Sequence, residues 1–499
     1  MKIGVGSGIL VCIPQRSALL SRKFEPLKNE LHQKDLLPPT KSILMDTKRS
    51  ALLVATVGSF LTPFMSSSIN IALPSLGKEF AMDAVLLSWV NTSYLLSAAV
   101  FLVPFGRIAD IYGRKKVFTY GIIIYTVSSL LSGVSPSAYF LLFFRILQGM
   151  GGSMIFGTAV AILTSVFSAH ERGKVIGINV AAIYSGLSLG PFLGGFLTQQ
   201  LGWRSIFLIN VPFGLIVIAL IALKLPGEWA GSPGEKFDIP GSLIYSITLI
   251  AIIYGISLLP SRTALVLILP GILGILMFVT WETKIDTPVV NMNLFSKNRV
   301  FTFSSLTALI NYSATFAVTF LMSLYLQYLQ GFTPQTTGII LVCQPVVMVL
   351  FSPFAGRLSD RIEPRIIASF GMALTTFALF TFTLLDETTS IPAIIIRLAL
   401  LGTGLAFFSS PNTNAIMSSV EKKMYGIASA MVATMRSIGQ MISMGTAMVV
   451  IASYMGRVDI TPEYYPLFLE SAQTAFLVFA GLCCCGVFVS LVRGSVRRE

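Results

Sequence analysis

The chain has 499 residues, 54% of them hydrophobic and 11% charged, with a formal net charge of +13. A soluble domain carries roughly 25% charged residues, and no globular arrangement hides so much apolar side chain without a lipid-facing surface. Composition therefore excludes a soluble catalytic or nucleic-acid-binding domain. It points to an all-α polytopic membrane protein whose partner is the lipid bilayer and whose cations lie in short loops.

Residues 1–49 form a basic tail with nine Lys/Arg and four Asp/Glu. Gly4–Ile13 is apolar but too short to span, and the character changes at Met45, so residues 1–44 are expected to be dispensable or an over-long start. Fourteen apolar runs follow, near 50–72, 85–106, 117–134, 138–166, 174–198, 205–224 and 239–259, then 263–281, 301–326, 336–356, 366–384, 391–412, 426–452 and 471–492. About 20 residues of helix cross the hydrocarbon core, and backbone groups in lipid must be satisfied within the segment, so each run reads as a helix. The cysteines, Cys12, Cys343 and the triplet Cys483–Cys485, suggest neither a disulfide framework nor a zinc site, and His32 and His170 have no cysteine nearby. No metal and no cofactor are expected.

Cations favour cytoplasmic loops. With the amino terminus inside, the inner loops hold sixteen Lys/Arg and the outer loops four, which predicts a cell-membrane protein with both ends cytoplasmic. The stretch Gly106–Val117, GRIADIYGRKKV, recurs 250 positions later as GRLSDRIEPRII at Gly356–Ile367. Gly106 matches Gly356, Asp110 matches Asp360 and Lys115 matches Arg365, while Glu363 and Pro364 replace Gly113 and Arg114. Arg145, Gly149 and Gly151 likewise match Arg397, Gly402 and Gly404. An internal duplication follows. The expected organisation is a tail over 1–49, a six-helix half over 50–224, two extra helices with their loops over 225–300, a second six-helix half over 301–492 and a cytoplasmic tail over 493–499. Parallel six-span repeats are a transporter architecture with the substrate near the midplane between them.

These residues resemble the major facilitator superfamily, and within it the fourteen-span drug:proton antiporter family. The resemblance covers nearly the whole chain from about residue 50. It rests on the loop Gly106–Lys116, on Arg145 with Gln148, Gly149 and Gly151, and on Asn70–Pro74. It rests also on Gly186, Gly190, Pro191, Gly194 and Gly195 in the fifth span. It implies a major facilitator fold, a loop of gating residues (Gly106, Asp110, Gly113, Arg114, Lys115 and Asp360) and proton movement modulated by Arg145. Where the family carries an acid in the first span this chain has Met65, and Ile111 stands where a basic residue follows the aspartate.

A charge inside a membrane costs roughly 2.5–3.5 kcal/mol, so a retained one suggests function. Arg145, Arg397 and Arg436 lie within spans, and no Asp or Glu falls near the middle of any span. That leaves Asp110 as a suspected coupling acid as well as a gate residue, able to accept from Arg114 or from a helix amino terminus. The glycines from Gly186 to Gly195 with Pro191 suit a hinge, since small residues let helices approach and proline bends them.

Polar and aromatic residues at span depth make a candidate substrate cavity. They are Ser66, Asn70, Asn91, Tyr94, Gln148 and Tyr184 in the first half, and Asn311, Tyr312, Gln344, Asn412, Arg436 and Gln440 in the second. Such a lining suits bulky hydrophobic or cationic organic compounds; the buried arginines would equally suit an anionic or lipid-like substrate. The chain has no phosphate-binding GxxxxGK[ST] loop. The expectation is a monomeric, non-enzymatic, proton-driven exporter, with a non-transporting sensor or scaffold as the alternative from another class.

Overall fold

The structure is a computed structural model that describes residues 41–168, 171–259, 261–285, 288–289, 292, 295–296, 298–420, 425–456 and 458–494. Expectations for residues 1–40 and His170 lie outside them, as does the side chain of Asp360. The compact body described below begins at Arg49.

Fourteen long helices make up the described chain. In the first half they are α1 (Lys41–Phe80), α2 (Ala84–Tyr112), α3 (Arg114–Gly133), α4 (Ala138–Val166), α5 (Arg172–Leu201) and α6 (Arg204–Lys224). The extra pair is α7 (Ile239–Ser257) and α8 (Arg262–Glu282). The second half holds α9 (Arg299–Leu329), α10 (Pro334–Ser359), α11 (Pro364–Phe382), α12 (Ile391–Ser418), α13 (Tyr425–Met455) and α14 (Tyr465–Val492). Thirteen are long and apolar enough to cross a membrane. The other is α3, whose 20 residues open on three cations.

Local chemistry sets the ends. Asp83 caps α2 by accepting from the Leu86 amide at 2.6 Å, Asp238 caps α7 through Gly241, and Asn298 caps α9 through Phe301. Thr333 caps α10 with Pro334 in its first turn. Helix α1 runs on to Phe80 through Pro63 and Pro74, well past the expected end. Helix α9 is interrupted at Phe316, where the Ala317 amide donates to the Ser443 hydroxyl instead of to its own helix, and it ends in a π-turn over Tyr325–Leu329.

The duplication is visible in the packing. Helix α4 lies against α2 and α3, and α12 lies against α10 and α11 in the same way. A side chain at Gly149 would run into the carbonyl of Tyr94, and one at Gly402 into the carbonyl of Gln344. Gly151 crosses close to Gly121, and Gly404 close to Gly371. These matched glycines let backbones touch where lipid gives helices no hydrophobic reason to associate.

Helices α1, α2 and α9 have 72% of their spanning residues buried, and α8 only 17%. The former surround the centre and the latter faces lipid with Leu265, Val266 and Leu273. Helix α7 packs on α8, on α2 of the first half and on α13 of the second, and the Tyr245 hydroxyl donates to the Ala99 carbonyl at 3.0 Å. The extra pair thus lies across the seam where α2 meets α13.

Candidate functional site

An open-sided cavity lies between the two halves. Thr62, Pro63 and Ser66 of α1, Tyr94 of α2, Gly152, Ser153 and Phe156 of α4 and Ile183 of α5 form one wall. Ala433, Arg436, Ser437 and Gln440 of α13 form the other. Among the cavity candidates from sequence, it brings together Ser66, Tyr94, Arg436 and Gln440. Among the described residues, no carboxylate lines it. The Arg436 guanidinium lies 5.4 Å from the centre of the Phe156 ring, a cation–π contact that reaches across the seam.

The other candidates lie elsewhere. Asn91 donates to Asn70, and Asn70 in turn offers its backbone carbonyl to Ser323. Gln148 is buried behind the cavity wall, Asn412 takes a 2.8 Å bond from Arg493, and the Asn311 amide nitrogen is buried without a hydrogen-bond partner. Tyr184 meets Ser409 at 2.9 Å across the seam. Tyr312 and Gln344 are half-buried outside the cavity lining.

Arg145 is completely buried. Its Nε donates to the Val90 carbonyl at 2.9 Å, its Nη1 to Gln148 Oε1 at 2.6 Å, and Gln148 passes the chain on to Ser129. The guanidinium stacks 4.3 Å from the centre of the Tyr94 ring. Among the described residues, no carboxylate balances it. Asp110, proposed from sequence to share its coupling role, lies twenty residues beyond Val90 on α2, roughly 30 Å at 1.5 Å per residue. The structure does not bring the two together.

In the gating loop, Arg114 grips Asp110 Oδ1 through Nε at 2.9 Å and Nη2 at 2.7 Å, and reaches Ser165 of α4 at 2.8 Å. Gly113 turns the chain at φ +124 between α2 and α3, a region that favours glycine. The amino terminus of α3 is taken by Glu228. Its carboxylate accepts from the amides of Lys115 at 2.8 Å and Lys116 at 3.1 Å. Arg114 donates its amide to the Trp229 carbonyl at 2.7 Å, Ser232 donates its amide to the Asp110 carbonyl at 2.9 Å, and Glu235 pairs with Arg107. The linker 225–238 therefore straps the loop. A side chain at Gly106 would meet open space.

The fifth-span glycines are contact points. Gly186, Gly190 and Gly194 meet Phe60, Ser67 and Ser68 of α1, and Gly195 meets the Pro334 carbonyl of the opposite half. Gly338 of α10 returns the approach onto the Pro191 carbonyl. Around them the halves are tied by Ser323 to the Asn70 carbonyl at 2.7 Å, Gln327 to the Ile71 carbonyl at 3.0 Å and the Gln335 amide to Gln199 at 3.2 Å. These ties sit toward the end of the bundle that holds Gly202 and Gly331. Toward the gating loop, the last hydrogen bond between the halves along α5, among the described residues, is Tyr184 to Ser409.

Sequence reasoning missed Glu228, Glu235 and Phe156. The first two are acids in a short linker whose partners lie 113 and 128 residues away in the chain, which leaves no local signal. Phe156 follows the glycine-rich face of α4, which places it beside the seam.

The sequence model of the Major Facilitator Superfamily matches residues 55–444 and, overlapping, 304–498. The chain is a member of that superfamily. Curated relatives span most of it. The riboflavin transporter RibZ of Clostridioides difficile (strain 630) is 31% identical over 403 residues, covering 81% of this chain and 88% of that one. The multidrug resistance protein Stp of Mycobacterium tuberculosis is 29% identical, covering 82% and 77%. The tetracenomycin C resistance and export protein of Streptomyces glaucescens is 27% identical, covering 83% and 77%. Among solved structures, a bacterial homolog of the human lysosomal transporter Spinster superposes with a TM-score of 0.67 at 14% identity, covering 91% of this chain and 97% of that chain. A D-xylose–proton symporter gives 0.63 at 15% identity, covering 90% and 97%. The Major Facilitator fold, two six-helix halves around a central cavity, is thus shared well beyond the range of sequence similarity. The chain is a multi-pass membrane transporter of small molecules, not an enzyme.

Proposed function

We propose that the chain is a secondary active exporter that carries amphipathic organic molecules across the cell membrane by proton antiport, working as a monomer with both termini cytoplasmic. The observation that carries this reading is the cavity between the halves, capped on one side by the α5–α10 and α1–α9 ties. Rocking of the halves would break those ties and close the opposite side. The lysine and arginine bias of the loops assigns the gating-loop side to the cytoplasm, so the conformation is one that loads from inside. Relatives named for drug resistance, antibiotic export and riboflavin transport support a small organic cargo. With no carboxylate among the described residues of the cavity lining, the exchanged proton is assigned to an acid outside it, and Asp110 is the proposed one. Efflux of a fluorescent dye from cells overproducing the protein tests the reading. Efflux should stop on addition of a protonophore, and efflux that continues unchanged would refute proton coupling.

A further inference from the structure

Among the described residues, the cavity lining carries one charge, and it is positive. Arg436 lines the wall from α13, and among the described residues its guanidinium takes no hydrogen bond and no ion pair. Ser437 and Gln440, beside it and one turn along the same helix, also line the space and, among the described residues, have no side-chain hydrogen bond. Behind the opposite wall, Arg145 lies against Tyr94 with a carbonyl and an amide as its partners instead of a carboxylate. Two guanidiniums thus bracket a low-dielectric space with no acid among its described lining residues. A permanently charged guanidinium cannot shed its proton to relieve this field, and field lines concentrate in a cavity with low-dielectric walls.

We propose that the cargo is an aromatic anion, held by its acidic group on Arg436. This rests on the exporter reading and gives the charge class of its substrate. The guanidinium offers planar paired donors that match a carboxylate or sulfonate fork, with Ser437 and Gln440 as neighbouring donors. Tyr94 and Phe156 supply ring faces for the aromatic body. Phe156 covers the guanidinium with its ring, and an arriving anion takes over that place. Because Arg436 belongs to the second half and Phe156 and Tyr94 to the first, the bound anion touches both halves.

Two dyes that share a xanthene core and differ in charge test the proposal: carboxyfluorescein, an anion, and rhodamine 6G, a cation. Purified full-length protein is assayed for ligand-induced thermal shift, and proteoliposomes for dye flux under an imposed pH gradient. Carboxyfluorescein should raise the melting temperature and rhodamine 6G should not. Arg436→Gln should weaken carboxyfluorescein binding at least tenfold, and Arg436→Lys, which keeps the charge, should recover part of it. Preference for rhodamine 6G, or carboxyfluorescein binding unchanged in Arg436→Gln, overturns the anion assignment and leaves the exporter reading standing. Arg436-dependent binding of carboxyfluorescein without flux supports the assignment and counts against export. Absence of both binding and flux for either dye overturns both.

Discussion

Glu228 caps the helix that opens at Arg114, accepting hydrogen bonds from the amides of Lys115 and Lys116 with its two carboxylate oxygens. The helix would otherwise begin with unsatisfied donors at the positive end of its macrodipole. The cap comes from the linker before the extra helix pair, so that pair is wired directly to the gating loop. Losing such a cap typically costs about 1 kcal/mol. Glu228→Ala should therefore lower the thermal stability of the purified protein by about that much. It should also speed hydrogen exchange at the amides of Lys115, Lys116 and Ser232, which the strap now covers. Unchanged exchange there would show that the strap does not hold the loop.

Gly113 lies against the same carboxylate. A Cβ added there would lie 2.5 Å from Glu228 Cδ, on a residue whose φ is +124. Gly113→Ala thus meets both backbone strain, about 1–3 kcal/mol, and displacement of the cap. The two losses share a partner, so they should not add. The double variant Gly113→Ala with Glu228→Ala should be destabilised by less than the sum of the single variants, measured by melting in detergent.

The sequence made the architecture legible because the constraint is strong: each lipid-crossing run must satisfy its own backbone, and 250 residues of offset expose the repeat. The matched glycines Gly151 and Gly404 were legible for the same reason, since a close crossing tolerates nothing larger. The cavity was legible only in part. An asparagine at span depth reads the same whether it faces a cavity or another helix. Asn70, Asn91 and Asn412 turned out to hold other residues, whereas Arg436 and Gln440 face open space. Arg145 attracted a coupling role through its charge, and the fold gives it carbonyl and amide partners. The strap was hidden because a carboxylate's partner 113 residues away in the chain leaves no local pattern.

Arg145 makes a case in which charge and shape separate. Arg145→Lys keeps the charge but loses the planar fork that serves Val90 and Gln148 at once. A hydrogen bond from a charged group contributes about 1.5–3 kcal/mol. The variant should melt lower by an amount in that range and transport more slowly, while the pH dependence of transport keeps its shape. A shifted pH profile would instead assign Arg145 to proton coupling.

The seal depends on the absence of side chains at two positions in opposite halves. Gly195 lies on the Pro334 carbonyl and Gly338 on the Pro191 carbonyl, so each half has its glycine against the other's backbone. Backbone atoms cannot rotate away as a side chain would, and overpacking at a well-packed contact costs about 1–3 kcal/mol. That cost falls only on the conformation in which α5 and α10 touch. Gly338→Val should therefore shift the equilibrium about 5- to 150-fold toward the conformation open on that side, with little loss of abundance. A cysteine placed at Ser323, now hydrogen-bonded to Asn70 across the same seam, reads the shift. It should label rapidly with a membrane-impermeant maleimide in the Gly338→Val background and slowly without it. Equal labelling in both would show that the α5–α10 contact does not control access to the cavity.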